Sequence, residues 1–152
     1  MMEAMTSLSG LEQMRAIASG EVEQPPIARL LGFGVIEVDE GRAVFSAEPG
    51  EQHVNPLGVV HGGLAATLLD SAMGCAVHTT LEPGWAYGSL DLSARFVRTI
   101  TPQTGRILGE GVVVHRGGRT ATMEGRVWAE ETGKLLAHGT GSALLFPVTV
   151  AE

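Results

Sequence analysis

The chain has 152 residues, 44% of them hydrophobic, and a formal net charge of −7 at pH 7. This length suits one domain, and the apolar content excludes an intrinsically disordered protein. The acidic balance argues against a nucleic-acid-binding protein, since such proteins usually carry a basic face. No apolar run reaches the roughly 18 residues that a membrane span requires. We therefore expect neither a nucleic acid nor a membrane as a partner.

Cysteine usage and the N-terminus point to a reducing compartment. The single cysteine, Cys75, excludes an internal disulfide and a multi-cysteine metal site. The first 20 residues have no basic region and no apolar stretch of the kind found in secretory signals. His53 and His61 lie eight positions apart and match no metal-ligand spacing such as HExxH. We expect a cytoplasmic protein without a metal site.

The N-terminal part of the chain predicts short elements. Residues 1–24 are predicted to be a peripheral segment with one short helix over LEQMRAIASG, and residues 25–148 are predicted to form the domain. The stretch PPIARLLG predicts a short helical turn that ends at Gly32. FGVIEVDEG and RAVFSAEP then predict two strands joined by a turn. Residues 49–62 are rich in Gly, Pro and Asn and predict a loop.

After this loop the pattern becomes helical and almost wholly apolar. Leu64, Leu68, Ala72 and Cys75 fall on one helical stripe. The pattern predicts a helix from Gly63 to about Leu81 that is apolar nearly all round and is therefore buried. A carboxylate in its middle, Asp70, is the exception to that pattern.

Four strand-like runs complete the chain, at about 86–98, 105–116, 119–131 and 135–146. The segments between them, TITPQTG, RGG and EETG, are turn-like, which predicts that all four strands form an antiparallel meander. A single long apolar helix needs a sheet that can wrap it. The predicted fold class is therefore α+β, with one curved antiparallel β-sheet around a long central α-helix.

The start of the predicted helix suits an anion or a developing oxyanion. Gly62 and Gly63 lie where helical N–H groups have no partner and the helix dipole is positive. Asp70 lies eight residues beyond Gly62, about 12 Å along a helix axis. It cannot reach its own helix N-terminus. If both groups serve one reaction, a two-fold dimer must bring Asp70 of one copy to Gly62 of the other.

Each of these residues also has a structural interpretation, which the residues alone leave open. Asp70 is otherwise a structural acid satisfied by a hydroxyl or an arginine, although an unpaired buried charge is costly. His61 is otherwise a capping or loop residue, and Asn55 a turn residue. Cys75 favours a packing role, since no basic residue near it in sequence lowers its pKa.

Residues 55–74, NPLGVVHGGLAATLLDSAMG, resemble the hotdog-fold acyl-CoA thioesterases, and most closely the phenylacetyl-CoA thioesterase-like (PaaI-like) family. The family pattern N-x-x-G-x-x-H-G-G, followed by an acidic residue, is present in full. The resemblance continues through YGSLDLSARFVRTITP, VVHRGGRTATMEGRV and ETGKLLAHGTGSALL, and covers about residues 28–146. It implies a hotdog fold and hydrolysis of acyl-CoA to free acid and CoA.

The resemblance also implies roles for individual residues. The Gly62 N–H polarises the thioester carbonyl, while Asn55 and His61 bind the thioester or position its loop. Asp70 from the partner subunit acts as general base or as nucleophile, and Ser89 helps to orient the water. Gly63 contacts the substrate at the same helix end. This chemistry requires no metal and no organic cofactor.

Coenzyme A carries several phosphates and needs a local basic patch in an acidic chain. By resemblance, Arg116 and Arg119 are expected to contact the nucleotide. The family pairs two sheets edge to edge, which implies a homodimer through the strand at 86–98 and a homotetramer of such dimers. The alternatives are a non-catalytic acyl-CoA-binding module and a hydratase or dehydratase on the same fold. The acyl group stays open among aryl, arylacetyl, medium-chain and dicarboxyl groups.

Overall fold

The computed structural model of the protein describes residues 5–148. Two short helices, two strands, a long helix and four longer strands follow one another along the chain. In chain order these are α1 (Gly10–Ser19), α2 (Pro26–Leu31), β1 (Phe33–Asp39), β2 (Arg42–Ala47), α3 (Gly62–His78), β3 (Trp85–Phe96), β4 (Ile107–Arg116), β5 (Thr120–Ala129) and β6 (Leu135–Pro147).

All six strands belong to one antiparallel sheet with the order β1-β2-β4-β5-β6-β3. Helix α3 packs on the inner face of this sheet and contacts every strand. The predicted fold class, an antiparallel sheet wrapped around a central helix, is confirmed. Strands β1 and β3 form its two edges.

The predicted four-stranded meander is wrong in one strand. Strands β4, β5 and β6 form a meander, but β3 pairs with β6, and β4 pairs with β2 instead. The segment TITPQTG is a crossover and not a hairpin turn. It passes the N-terminal end of α3, where Ile100 O accepts a hydrogen bond from Val60 N–H, 2.9 Å away. The longer connection therefore carries the chain across the sheet.

Close approach of helix and sheet explains the small residues at their interface. A Cβ added at Gly111 of β4 would lie 2.3 Å from the backbone of Ala72, so only glycine allows α3 to pack at this depth. Leu68, Leu69 and Met73 are fully buried on the same side of the helix. The apolar stripe of α3 thus forms the centre of the core.

Helix α3 is not buried all round and ends one turn earlier than predicted, at His78. The sheet leaves one side of it only partly covered. We call this side the uncovered stripe, and it consists of Gly63, Ala66, Thr67, Asp70 and Ser71. The spacing of these residues, three and four apart, places them on one helical face. Asp70 is exposed in the protomer, so the sheet does not bury its charge.

Helix α1 packs at the C-terminal end of α3. Its Gly10 N–H donates to Leu81 O at 2.9 Å, and Gln13 Oε1 bonds His78 Nε2 at 2.9 Å. Met14 is buried in the main core. The domain boundary between residues 24 and 25 stays a prediction, and residues 1–4 of the predicted peripheral segment lie outside the described residues.

Candidate active site

The structure joins Asp70 and Ser89, which are 19 residues apart in sequence. The Ser89 hydroxyl donates a hydrogen bond to Asp70 Oδ1 at 2.8 Å. Ser89 faces α3 because its partner across the sheet, Ala143, is fully buried. One carboxylate oxygen of Asp70 is thereby held, while Oδ2 remains open to a ligand or a water molecule.

A β-bulge at Leu90 determines which side chains of β3 face the helix. The pairing register with β6 shifts between Ser89 and Asp91. Tyr87 and Ser89 therefore face α3 before the bulge, and Phe96 faces it after the bulge. Simple alternation along the strand would place Asp91 on the same face as Tyr87 and Ser89, and the bulge breaks that pattern.

The N-terminus of α3 presents one open backbone donor. His61 is the N-cap, and its Nδ1 accepts a hydrogen bond from Gly63 N–H at 2.8 Å. The capping interpretation of His61 is therefore realised, and the Gly63 N–H is engaged within the chain. No residue within 5–148 accepts a hydrogen bond from the Gly62 N–H. This donor points from the positive end of the helix dipole.

A groove of about 450 Å³ begins at this helix end and contains Asn55, Gly62, Phe96 and Arg98 in its lining. Asn55 Oδ1 accepts hydrogen bonds from the N–H groups of the Asx turn that follows it, the shorter at 2.9 Å. Its side-chain oxygen thus has the turn role, which leaves the amide NH₂ to donate into the groove.

The two parts of the expected site lie apart within one protomer. Gly62 and Asp70 belong to one uninterrupted helix, so their separation along its axis is about 12 Å. The first part is the groove at Gly62, and the second is the Asp70–Ser89 pair. We call these the donor half-site and the carboxylate half-site. No single water or carbonyl can contact both halves in one chain.

Arg116 and Arg119 flank the turn between β4 and β5 and are exposed. Neither lines the groove at Gly62, and neither forms an ion pair with a described residue. The arginine that does line the groove is Arg98, whose guanidinium donates to Leu135 O at 2.7 Å. A role of Arg116 and Arg119 toward a nucleotide stays a prediction.

Two groups beside Asp70 stay uncharged. Burial raises the pKa of the Cys75 thiol to about 12, and burial also raises the pKa of the Tyr87 hydroxyl. A thiol that stays protonated is a poor nucleophile. Cys75 is therefore a packing residue, as its sequence environment indicated.

Three residues of the site escaped sequence reasoning: Tyr87, Phe96 and Arg98. The Phe96 ring lies 3.2 Å from the position of a Cβ at Gly62, so it covers the helix start. Phe96 and Tyr87 resemble ordinary strand residues in the sequence, and only the bulge at Leu90 turns both toward α3. No local sequence pattern distinguishes Arg98 from the other arginines of the chain.

Two other functional features, a metal-binding cluster and a membrane-spanning helix, are not found among the described residues. Within 5–148, no three His, Cys, Asp or Glu side chains come together in a way that would hold a metal ion. No helix in this part of the chain is long and apolar enough to cross a membrane.

Comparison with known proteins decides the family. The family model described as the thioesterase superfamily matches residues 57–136, which include Gly62, Asp70 and Ser89. The chain belongs to the thioesterase superfamily. This thioesterase is therefore a thioester hydrolase, and its matched region contains Gly62 of the donor half-site and both residues of the carboxylate half-site.

Individual relatives agree with this assignment. The thioesterase is 28% identical to human acyl-coenzyme A thioesterase 13 over 141 residues, covering 89% of this chain and 94% of the human protein. Its structure resembles a putative thioesterase related to phenylacetic acid degradation from Ralstonia eutropha (27% identity, 86% and 98% coverage, TM-score 0.76). It also resembles a mutant of the phenylacetic acid degradation protein PaaI from Thermus thermophilus (30% identity, 79% and 98% coverage, TM-score 0.71).

Proposed function

We propose that the protein is an acyl-CoA thioesterase whose active site is assembled from two copies of the chain. The observation that carries the proposal is the pair formed by Asp70 and Ser89 on the uncovered stripe of α3. This exposed, oriented carboxylate lies on the same helix as an open Gly62 N–H that it cannot reach. The name of the human relative supports acyl-CoA as the substrate.

In this proposal the donor half-site of one copy binds the thioester carbonyl. The Gly62 N–H donates to the carbonyl oxygen, and the Asn55 amide supports the same end of the substrate. Developing negative charge on that oxygen is stabilised by the N–H and by the positive end of the α3 dipole. His61 contributes indirectly, because its cap on Gly63 holds the helix start in place.

The carboxylate half-site of the other copy supplies the water. Asp70 removes a proton from a water molecule that Ser89 helps to orient, and the water oxygen attacks the thioester carbon. The C–S bond then breaks, CoA leaves as a thiolate, and the acid is released. Thioesters are already electrophilic and thiolate leaves readily, so this mechanism requires neither a metal nor an organic cofactor.

The edge strand β3 is the surface through which we propose that two copies meet. Its Leu90 and Phe96 side chains are 57% and 59% exposed in the protomer, and its outer backbone edge has no neighbouring strand among the described residues. An exposed apolar edge is a template for pairing with a second sheet. We further propose that dimers associate into a homotetramer, that Arg116 and Arg119 contact the CoA phosphates, and that the enzyme is cytoplasmic.

The proposal is tested by measuring thiol release from a panel of aromatic and aliphatic acyl-CoAs. We expect Asp70→Asn to lower kcat about 100-fold or more, the contribution typical of a general base. Asp39→Asn is the matched control, because Asp39 is an exposed carboxylate at the end of β1, which forms the edge of the sheet opposite to β3. Wild-type enzyme that binds acyl-CoA but releases no thiol would instead identify a binding module. Label from heavy-oxygen water that enters Asp70 in a single turnover would identify a nucleophile.

A further inference from the structure

A second cavity lies beside Asp70, on the side of α3 that the sheet leaves partly uncovered. It has a volume of about 200 Å³. Its lining includes Asp70 together with the apolar or uncharged residues Met14, Ile17, Phe33, Cys75 and Tyr87. We call it the α1 pocket, because Met14 and Ile17 of helix α1 form one of its walls.

The pocket extends away from the reactive carboxylate and toward α1. On α3 its lining residues are Asp70, Ser71 and Cys75, so it follows the helix for more than one turn. At the next turn His78 is hydrogen-bonded to Gln13 of α1. Asp70 is exposed whereas Met14 is only 5% exposed, so the pocket runs from an exposed carboxylate to a buried side chain of α1, with the 54% exposed Ile27 of α2 also in its lining.

Helix α1 is a fixed wall and not a loose cover. Met14 belongs to the main hydrophobic core, and Ile17 packs against it. Backbone and side-chain hydrogen bonds from Gly10 and Gln13 attach the helix to Leu81 and His78. A capping box at Ser9 stabilises its start. Enlarging the pocket at this end therefore requires either a smaller side chain or displacement of the helix.

We propose that the α1 pocket receives the acyl group of the substrate, and that Ile17 and Met14 of α1 set the upper limit of its size. This inference rests on the proposed function, in which the thioester carbon lies next to Asp70. The α1 pocket borders Asp70 and offers mostly apolar space to a group attached to that carbon. Residues of the N-terminal segment thus determine specificity.

The volume and the lining define the class of acyl group. A cavity of about 150 Å³ already accommodates benzene, so a pocket of about 200 Å³ takes one aromatic ring with a short arm or an aliphatic chain of similar bulk. No Lys, Arg or His among the described residues lines it, so a second carboxylate on the acyl group would be buried without a cation to neutralise its charge. The pocket selects compact, uncharged acyl groups and rejects dicarboxyl ones.

The test compares size preference in wild type, Ile17→Phe and Ile17→Ala. For each enzyme, kcat/KM is measured with acetyl-, butyryl-, hexanoyl-, octanoyl-, decanoyl- and benzoyl-CoA. For each enzyme, the size preference is the kcat/KM for the largest accepted acyl-CoA divided by the kcat/KM for acetyl-CoA. We expect Ile17→Phe to lower this ratio by about tenfold or more, because one methylene in such a pocket changes kcat/KM by about 10- to 200-fold. Ile17→Ala is expected to move the optimum to a larger acyl group.

The matched control is Leu30→Phe, which adds the same ring at a 79% exposed position of α2 outside the pocket lining. Circular dichroism and Tm confirm that each variant is folded. An unchanged size preference in both folded Ile17 variants, with wild type active, overturns the inference and leaves the proposed function intact. Absence of thiol release by wild type with every acyl-CoA contradicts the proposed function itself.

Discussion

At the scale of single residues, the most specific part of the proposed mechanism is the role of the Gly62 backbone N–H as oxyanion donor. Gly62 is the first residue of α3, and the preceding His61 has φ −59° and ψ 133°, an extended conformation that is compatible with a following proline. Proline is well tolerated at this first helical position and lacks the N–H. Gly62→Pro therefore removes the proposed oxyanion donor while the helix remains.

We expect Gly62→Pro to lower kcat about 100-fold or more, the cost of losing one oxyanion donor. Gly62→Ala is the matched control, because its Cβ meets the same Phe96 ring, 3.2 Å away, while its N–H is kept. The kcat of each variant is measured as the rate of thiol release under saturating acyl-CoA. Equal activity losses in the two variants would assign the effect to contact with Phe96 and would remove the Gly62 N–H from the mechanism.

Residue-scale features differ in how far the sequence predicts them. Asp70 is identifiable because a carboxylate interrupts an apolar helical pattern, and Gly62 because it precedes that pattern. The hydrogen bond from Ser89 to Asp70 has no such local signal. It depends on the bulge at Leu90, which periodicity does not show, and Ser89 was expected only through the family resemblance.

At the scale of elements, periodicity predicts helices and strands better than it predicts their order in the sheet. Helix α3 and the strand β3 were expected within a few residues of their bounds because both patterns are long. The sequence did not predict that β3 lies beside β6, because turn-forming residues such as those in TITPQTG occur in crossover connections as well as in hairpins. The close contact of Gly111 with Ala72 likewise depends on pairing that no local pattern contains.

The contact between α1 and α3 makes stability depend on pH. Burial lowers the pKa of His78 below its ordinary value of 6.5, and its buried Nδ1 has no partner among the described residues. The unfolded chain therefore takes up the proton first as pH falls. The stabilisation of the folded state by neutral His78 is complete above about pH 6.5 and is lost as pH falls toward the lowered pKa that His78 has in the folded state.

We expect the Tm of wild type to fall between pH 7 and pH 5 more than that of His78→Gln, whose amide does not titrate and still reaches Gln13. Thermal unfolding of both proteins across this range measures the difference. If the difference in Tm between wild type and His78→Gln stays constant with pH, His78 has the same pKa in the folded and the unfolded chain, which contradicts the prediction.

At the scale of the whole molecule, the proposed chemistry belongs to an assembly of two chains and not to one chain. A protomer contains a donor half-site and a carboxylate half-site about 12 Å apart on α3. The proposed need for two copies follows from this spacing in the sequence, whereas the strand at 86–98 was expected as the pairing edge only through the family resemblance. The sheet order shows that this strand, β3, lies at an edge of the sheet.

Subunit complementation tests this arrangement directly. Asp70→Asn removes the carboxylate and Gly62→Pro removes the donor, so each variant alone has no complete site. In a dimer of one chain of each kind, the intact Gly62 of one copy meets the intact Asp70 of the other, and one of its two sites is complete. Random pairing at equal amounts makes half of the dimers mixed, so about one quarter of wild-type sites return.

We therefore expect co-expressed, doubly tagged Asp70→Asn and Gly62→Pro chains to recover thiol release toward half of the wild-type value per purified mixed dimer. The same two chains mixed without subunit exchange stay inactive and serve as the control. Recovery requires that the two groups act across chains, because a site within one chain would be broken in every protomer of the mixture. A mixed dimer that is as inactive as its two parent variants would contradict the two-chain site. The thioesterase activity of the wild-type enzyme would not be affected by that result.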